Sequence, residues 1–326
     1  MMPNLPSGTT HPPSSVPSSS PSSTTTGPTA ARLIDFNVTG FEAPGTHTAT
    51  VIFLHGLGGE GENLIPAVEG LRLRLSPELA SGVKFLLPNA PPMKVTGNGG
   101  FTMQSWFDVY NFDIENREED AVGLAGAADW LNAFVDREVE EFGIPPERVV
   151  VGGLSQGGAV VCRALVGSER RLGGAFMLCS YVPLRRRVLE MKTPFASQIP
   201  LFWGHGIMDA QVAFPLALRS AKQLALDLDM TFLRTSHPLT PESLQEDFKR
   251  QSEGTGESSN SSGAGKATLR FCYYGDLGHW FSEEEISDLA VWMNGILGNG
   301  RYKEVGGVGE AEGEEEGEAG MDVDDG

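Results

Sequence analysis

The chain has 326 residues, 40% of them hydrophobic, and carries 24 Lys+Arg against 43 Asp+Glu for a formal net charge of −19. That length and apolar content suffice for a sizeable buried core. The acidic balance argues against a nucleic-acid partner, because phosphate binding needs clustered Lys and Arg. Ten of the acidic residues lie from Glu304 onward with no basic one among them, so the body of the chain is only moderately acidic. Cys162, Cys179 and Cys272 form no CxxC pair, which argues against a disulfide framework or a zinc module and fits a reducing compartment. No metal or cofactor motif is found. The N-terminus lacks a charged segment followed by an apolar run, and no stretch of about 18 apolar residues occurs, so neither a secretory signal nor an integral membrane span is expected. The expected location is the cytoplasm, with the nucleus also open to the protein.

Residues 1–30 include seven Pro, eight Ser and six Thr, a composition too poor in apolar surface to offset the entropy of ordering. They are expected to be a disordered arm. One domain is expected over 31–303. Within it the short apolar runs Thr50–Leu54, Val83–Pro88, Arg148–Gly153, Ala175–Ser180, Pro200–His205 and Thr268–Tyr274 read as buried parallel strands. Between them, Asp120–Phe142 spaces Leu131, Phe134, Val135, Val139 and Phe142 as a helix does. Gln211–Asp229 and Glu283–Leu297 do likewise, and Ser282 with Glu285 predicts a capping box opening the last helix. This rhythm predicts an α/β fold, a mostly parallel sheet covered by helices on both faces. A low-complexity insertion is expected at about 236–266, with one short helix near Pro241–Arg250, and a disordered acidic tail at 304–326.

The strongest chemical signal is Gly153-Leu154-Ser155-Gln156-Gly157, directly after one predicted strand and before a helical run. A Ser on a tight strand-to-helix turn projects its hydroxyl from the sheet, and flanking glycines let neighbouring chain approach without a Cβ clash. Such a serine needs a base, and in this architecture an acid and then a His should follow it. Of six histidines, His11 lies in the arm, His237 in the insertion, and His47 and His55 precede the serine. His205 sits between glycines and reads as tight packing at the sheet edge. His279 remains, on the loop between the final strand and the capped helix. For the acid, Asp209 follows the strand Pro200–His205, whereas Asp227 and Asp229 read as solvated helix charges and Asp276 as a local loop group. The oxyanion donors expected are the backbone N–H groups of Gln156, next after the serine, and Leu57, in the Gly-rich loop His55-Gly56-Leu57-Gly58-Gly59. A phosphate-binding use of those glycines lacks both the Walker Lys and the dinucleotide spacing.

The segment Pro91–Trp106 is long and Gly-rich, and its Met93, Phe101, Met103 and Trp106 are candidate substrate-binding residues forming a lid or acyl-chain wall. Ordinary loop packing is the competing use. The pair Trp106-Phe107 in particular reads as packing beneath the site.

The motifs FLHGLGG, LPNAPP, QSWFDV, REED, RVVVGGLSQGG, AFMLCSYVPL, HGIMD and GHWFSEEE occur in an order that resembles the acyl-protein thioesterases, members of the phospholipase/carboxylesterase group of α/β-hydrolases. The likeness runs from about Thr50 to Leu297. It implies the α/β-hydrolase fold, a triad of Ser155, Asp209 and His279, and an oxyanion hole at Leu57 and Gln156. It further implies a serine hydrolase acting on long-chain thioesters of S-acylated proteins or on lipid-like esters, with transient membrane-surface contact. A general carboxylesterase or lysophospholipase without protein substrate is the rival reading, and a catalytically silent binding protein of the same fold is a third. Where the family has Asp-Pro-x-Val, this chain has Asp209-Ala210-Gln211-Val212.

Overall fold

A computed structural model of the protein describes residues 32–35, 38–245 and 266–298. The expected arm, the expected tail and residues 246–265 of the expected insertion lie outside these. Eleven strands are present among the described residues: β1 Arg32–Asp35, β2 Val38–Phe41, β3 Ala49–Leu54, β4 Val83–Pro88, β5 Pro92–Val95, β6 Phe101–Gln104, β7 Val149–Leu154, β8 Gly174–Leu178, β9 Leu201–Gly206, β10 Thr231–Ser236 and β11 Thr268–Tyr274. Nine of them form one sheet in the order β1-β2-β4-β3-β7-β8-β9-β11-β10. From β4 to β10 all pairings are parallel, and β1 and β2 add antiparallel partners at one edge.

The largely apolar strands follow from burial on both faces. In β3, Ile52 and Leu54 face one hydrophobic cluster while Val51 and Phe53 face the other, the period-2 alternation of a pleated strand. Helices α3 (Ala121–Glu140), α4 (Gln156–Val166) and α6 (Phe214–Asp227) supply Leu131, Val160 and Leu224 to the first cluster. On the opposite face, α1 (Ile65–Arg74), α2 (Pro77–Gly82) and α7 (Glu283–Leu297) supply Val68, Leu79 and Trp292. A short α5 (Val188–Met191) follows β8.

Three expectations differ from what is observed. The Pro91–Trp106 segment is a two-stranded antiparallel hairpin of β5 and β6. The expected insertion begins on packed chain: Ser236 ends edge strand β10, residues 241–245 are helical, and Leu239 and Leu244 are buried in the second cluster. Only half of the capping box forms. Ser282 Oγ accepts the Glu285 N–H at 3.2 Å, but the Glu285 carboxyl turns inward, where a Cβ on Gly204 would lie 2.1 Å from its Oε1. Neither carboxyl oxygen has a hydrogen-bond partner among the described residues.

Candidate active site

Parallel strands deliver their loops to one edge of the sheet, and the loops after β3, β7, β9 and β11 carry the polar residues singled out above. Ser155 joins β7 to α4 with φ 52° and ψ −114°, a strained conformation for a residue with a Cβ. The turn is held from the next strand: Ser155 N–H donates to the Leu178 carbonyl at 2.8 Å, and Ser180 Oγ donates to the Ser155 carbonyl at 2.7 Å. Its flanking glycines are sterically required. A Cβ at Gly153 would meet the Gly157 carbonyl carbon at 2.2 Å, and one at Gly157 would meet the Leu54 carbonyl oxygen at 2.5 Å.

Ser155, His279 and Asp209 come together although His279 stands 70 residues beyond Asp209 and 124 beyond Ser155 in the chain. His279 Nε2 lies 2.8 Å from Ser155 Oγ, and its Nδ1 lies 2.8 Å from Asp209 Oδ2. The other carboxyl oxygen, Oδ1, accepts the N–H groups of Gln211 and Val212 at 2.8 and 2.9 Å. Burial works to raise the Asp209 pKa, but the His279 bond and the two backbone N–H groups outweigh it and hold the carboxyl below its ordinary range. An ionised carboxylate only accepts, so Nδ1 carries the ring proton and Nε2 offers its lone pair to the Ser155 hydroxyl. The His279 loop is fixed from β8, since Cys179 Sγ lies 2.9 Å from the Trp280 carbonyl.

Leu57 and Gln156 line the same cavity of about 380 Å³ as Ser155 and His279. The loop bearing Leu57 passes close to the serine, for a Cβ on Gly56 would lie 3.3 Å from Ser155 Cβ. His55 secures that loop: its Nε2 accepts the Ala90 N–H at 3.0 Å and its Nδ1 lies 2.7 Å from the Gly56 carbonyl. Burial lowers the His55 pKa and keeps the ring neutral in this role. The Gln156 side chain is occupied elsewhere. Its Oε1 accepts the Trp106 N–H, and its Nε2 donates to Ser105 Oγ and to the Phe107 carbonyl.

The four candidate substrate-binding residues are not among those lining this cavity. Trp106 is only 6% exposed and donates Nε1–H to the His55 carbonyl at 2.8 Å, which makes it a support beneath the loop. Met93 and Met103 face each other across the β5–β6 hairpin, and Phe101 is 71% exposed at its far end. The apolar wall is made instead by Leu57, Val109, Phe112, Ile114, Tyr181 and Val212. Phe112 and Ile114 come from NFDIENREED, whose polarity hides them in sequence. Arg117 from that stretch donates to Tyr181 Oη and pins the loop over the cavity.

Among the described residues, the group with metal-ligand spacing is Cys179, Asp209 and His279, whose donor atoms lie within 4.8 Å of one another. Burial pushes the Cys179 thiol far above its ordinary range, and both His279 nitrogens are already engaged. The arrangement suits proton transfer better than cation binding.

The profile of a family described as Phospholipase/Carboxylesterase matches residues 41–250. The chain belongs to that family. Acyl-protein thioesterase 1 of Cryptococcus neoformans var. neoformans serotype D (strain JEC21) is 33% identical over 249 residues, covering 76% of this chain and 92% of that protein. The Gibberella zeae protein of the same name is 36% identical over 216 residues, covering 63% and 90%. Among solved structures, Arabidopsis thaliana SOBER1 superposes with a TM-score of 0.61 at 26% identity, covering 77% of this chain and 99% of that one. Zea mays acyl-protein thioesterase 2 superposes with a TM-score of 0.60 at 24% identity and covers 80% of this chain and 99% of its own; that likeness concerns the fold. The protein is therefore a serine hydrolase of the esterase and thioesterase class with the α/β-hydrolase fold.

Proposed function

We propose that the protein removes long-chain acyl groups from S-acylated proteins through an acyl-Ser155 intermediate. The observation that carries this reading is the unbroken chain from Ser155 Oγ through His279 to Asp209 at 2.8 Å per link, opening on an apolar cavity. Ser155 Oγ attacks the thioester carbonyl carbon while His279 Nε2 takes its proton, and Asp209 stabilises the imidazolium without taking the proton itself. The carbonyl oxygen becomes an oxyanion that receives the N–H groups of Leu57 and Gln156. Collapse expels the cysteine thiolate, which takes the proton from His279. Water, deprotonated by the same nitrogen, then attacks the acyl-Ser155 carbonyl; the acyl–Oγ bond breaks, His279 returns the proton to Ser155 Oγ, and the fatty acid leaves. Val109, Phe112, Ile114, Tyr181 and Val212 form the wall for the acyl chain.

The named relatives support a thioester substrate, and three free buried cysteines support a reducing cytoplasmic or nuclear location. No helix among the described residues is long and apolar enough to cross a membrane. Exposed Phe112, Met208 and Trp280 support transient contact with a membrane surface bearing the acylated substrate. The test compares turnover of a palmitoyl-cysteine peptide, a short-chain p-nitrophenyl ester and a lysophospholipid. The expected result is kcat/KM at least about tenfold higher for the thioester peptide, a difference of about 1.4 kcal/mol in transition-state binding. Equal or faster turnover of the ester or lysophospholipid would instead assign the carboxylesterase or lysophospholipase reading.

A further inference from the structure

His205 lies outside the Ser155–His279–Asp209 chain, yet it places a polar ring deep in the fold. It stands on β9, one residue before that strand's carboxyl end, two strands in from β10 and paired with Tyr273 of β11. The ring is fully buried, stacked on Phe271 with centroids 6.2 Å apart and flanked by Phe214 of α6 at 6.4 Å. A buried imidazole in such company costs free energy unless its polar atoms are used.

One of them is. Nε2 lies 2.8 Å from the Val212 carbonyl, which can only accept, so Nε2 carries the hydrogen. The same nitrogen is 3.5 Å from Asp209 Oδ2, the oxygen that also meets His279 Nδ1. Val212 in turn donates its N–H to Asp209 Oδ1. His205, Val212 and Asp209 thus close a ring of contacts around the 209–212 turn. Both the N–H and the carbonyl of Val212 are tied down, and the carboxylate is approached on both oxygens. Burial keeps the imidazole neutral against the opposing pull of the Val212 carbonyl and of Asp209. A neutral donor can present a dipole to Oδ2 without taking over the charge that the carboxylate directs at His279. The turn being held is the one where Ala210-Gln211 departs from the Asp-Pro-x-Val pattern, so it lacks the ring that would stiffen it from within.

We propose that His205 is a positioning residue for Asp209: its Nε2–H clamps the 209–212 turn through the Val212 carbonyl and thereby aims the carboxylate at His279. Packing alone would predict that an aromatic ring of similar size replaces it harmlessly. The clamp predicts that the N–H matters.

The inference rests on the proposed triad, and the experiment separates the two. Full-length wild type, His205→Phe, His205→Gln and Ser155→Ala are compared on a p-nitrophenyl ester from pH 5 to 9, with folding followed by circular dichroism. His205→Phe keeps an aromatic ring, one ring atom larger, and removes the donor; it is expected to lower kcat by about 10- to 100-fold with KM changed less than about threefold. Misaiming Asp209 also withdraws negative charge from the His279 imidazolium, so the acid limb of the rate profile should move to lower pH by about half a unit or more. His205→Gln, whose amide N–H can reach Val212, should restore kcat to within about fivefold and return the limb. A folded His205→Phe protein with wild-type kcat and an unmoved limb overturns the proposal, as does equal loss in both variants with the limb unmoved. If the Phe variant fails to fold, His205→Asn takes its place, because its shorter amide cannot span to the carbonyl. Retained activity in Ser155→Ala would bring down the triad itself, whereas an inactive Ser155→Ala protein beside an unaffected His205→Phe protein would bring down only the clamp.

Discussion

The two ends of the central sheet both bury charged groups, and they use them in opposite ways. At the amino ends of β3 and β7 lies the larger void, about 720 Å³, lined by His47, Ser76, Phe142 and Arg148 among others. Its polar groups hold the fold together. Arg148 donates to the Thr48 and Leu297 carbonyls, and Glu138 beneath takes Lys84 Nζ at 2.8 Å and Thr50 Oγ1 at 2.7 Å. At the carboxyl ends the void is smaller, yet Ser155 Oγ, His279 Nε2 and the Leu57 loop converge on it. The carboxylate there is aimed at an imidazole instead of a lysine. Chemistry follows the direction in which polar groups point, and cavity size is a poor guide to it.

The largest effect expected from breaking this contrast is at the serine. Ser155→Ala should lower kcat/KM by at least about a thousandfold while leaving the circular dichroism spectrum unchanged, because it removes one hydroxyl from a turn held by backbone bonds to β8. Turnover within about tenfold of wild type would remove Ser155 from the chemistry.

The serine is legible in the sequence because of where it sits. Strands buried on both faces are mostly apolar, so Val83–Pro88 and Thr268–Tyr274 can be read to the residue in spite of Lys84 and Arg270, and the loops after such strands carry the candidate site residues. Elements with one wet face cannot be read that way. Edge strand β10 reads TFLRTS and is mostly half-exposed, and the β5–β6 hairpin exposes Phe101 and Thr102, so neither stands out as a buried run. In the site, Ser155, Asp209 and His279 are legible because each closely follows a strand. The cavity wall is not, because Phe112, Ile114, Tyr181 and Val212 meet only when loops distant in sequence fold over one another. Trp106 illustrates the converse: an aromatic next to the site whose indole N–H is committed to the His55 carbonyl. The inward turn of Glu285 is hidden for the same reason, since S-x-x-E spacing describes a local box and says nothing of the room left by Gly204 across the sheet.

The second effect sharpens the comparison from the other end. Lys84 and Glu138 are a buried pair, and removing one partner strands the other charge. Lys84→Met should destabilise the protein by about 3–5 kcal/mol in urea unfolding, while kcat of the folded fraction stays within about twofold of wild type. The double variant Lys84→Met/Glu138→Leu should regain most of the loss, because the desolvation cost disappears with both charges. A drop in kcat in the folded Lys84→Met protein would show that the two ends are coupled.

The smallest effect concerns Glu285, a buried carboxyl that no hydrogen-bond partner among the described residues compensates. It lies beneath the catalytic end on the first turn of α7, and burial, reinforced by the nearby Asp288 charge, pushes its pKa well above the carboxylate range against the opposing Ser282 backbone contact. Its folded-state pKa is thus raised. The group contributes stability that is fully present below the unfolded value of about 4.3, and that contribution is lost progressively as pH rises toward the folded value. Glu285→Gln replaces a carboxyl that must stay protonated with an amide of nearly equal shape that has no proton to lose. Wild-type Tm should therefore fall from about pH 5 to pH 8 more steeply than that of the variant, with the two curves converging at the acid end where the wild-type carboxyl is protonated in both states. Parallel Tm curves across that range would mean that the Glu285 carboxyl is not raised in the folded protein and ionises there.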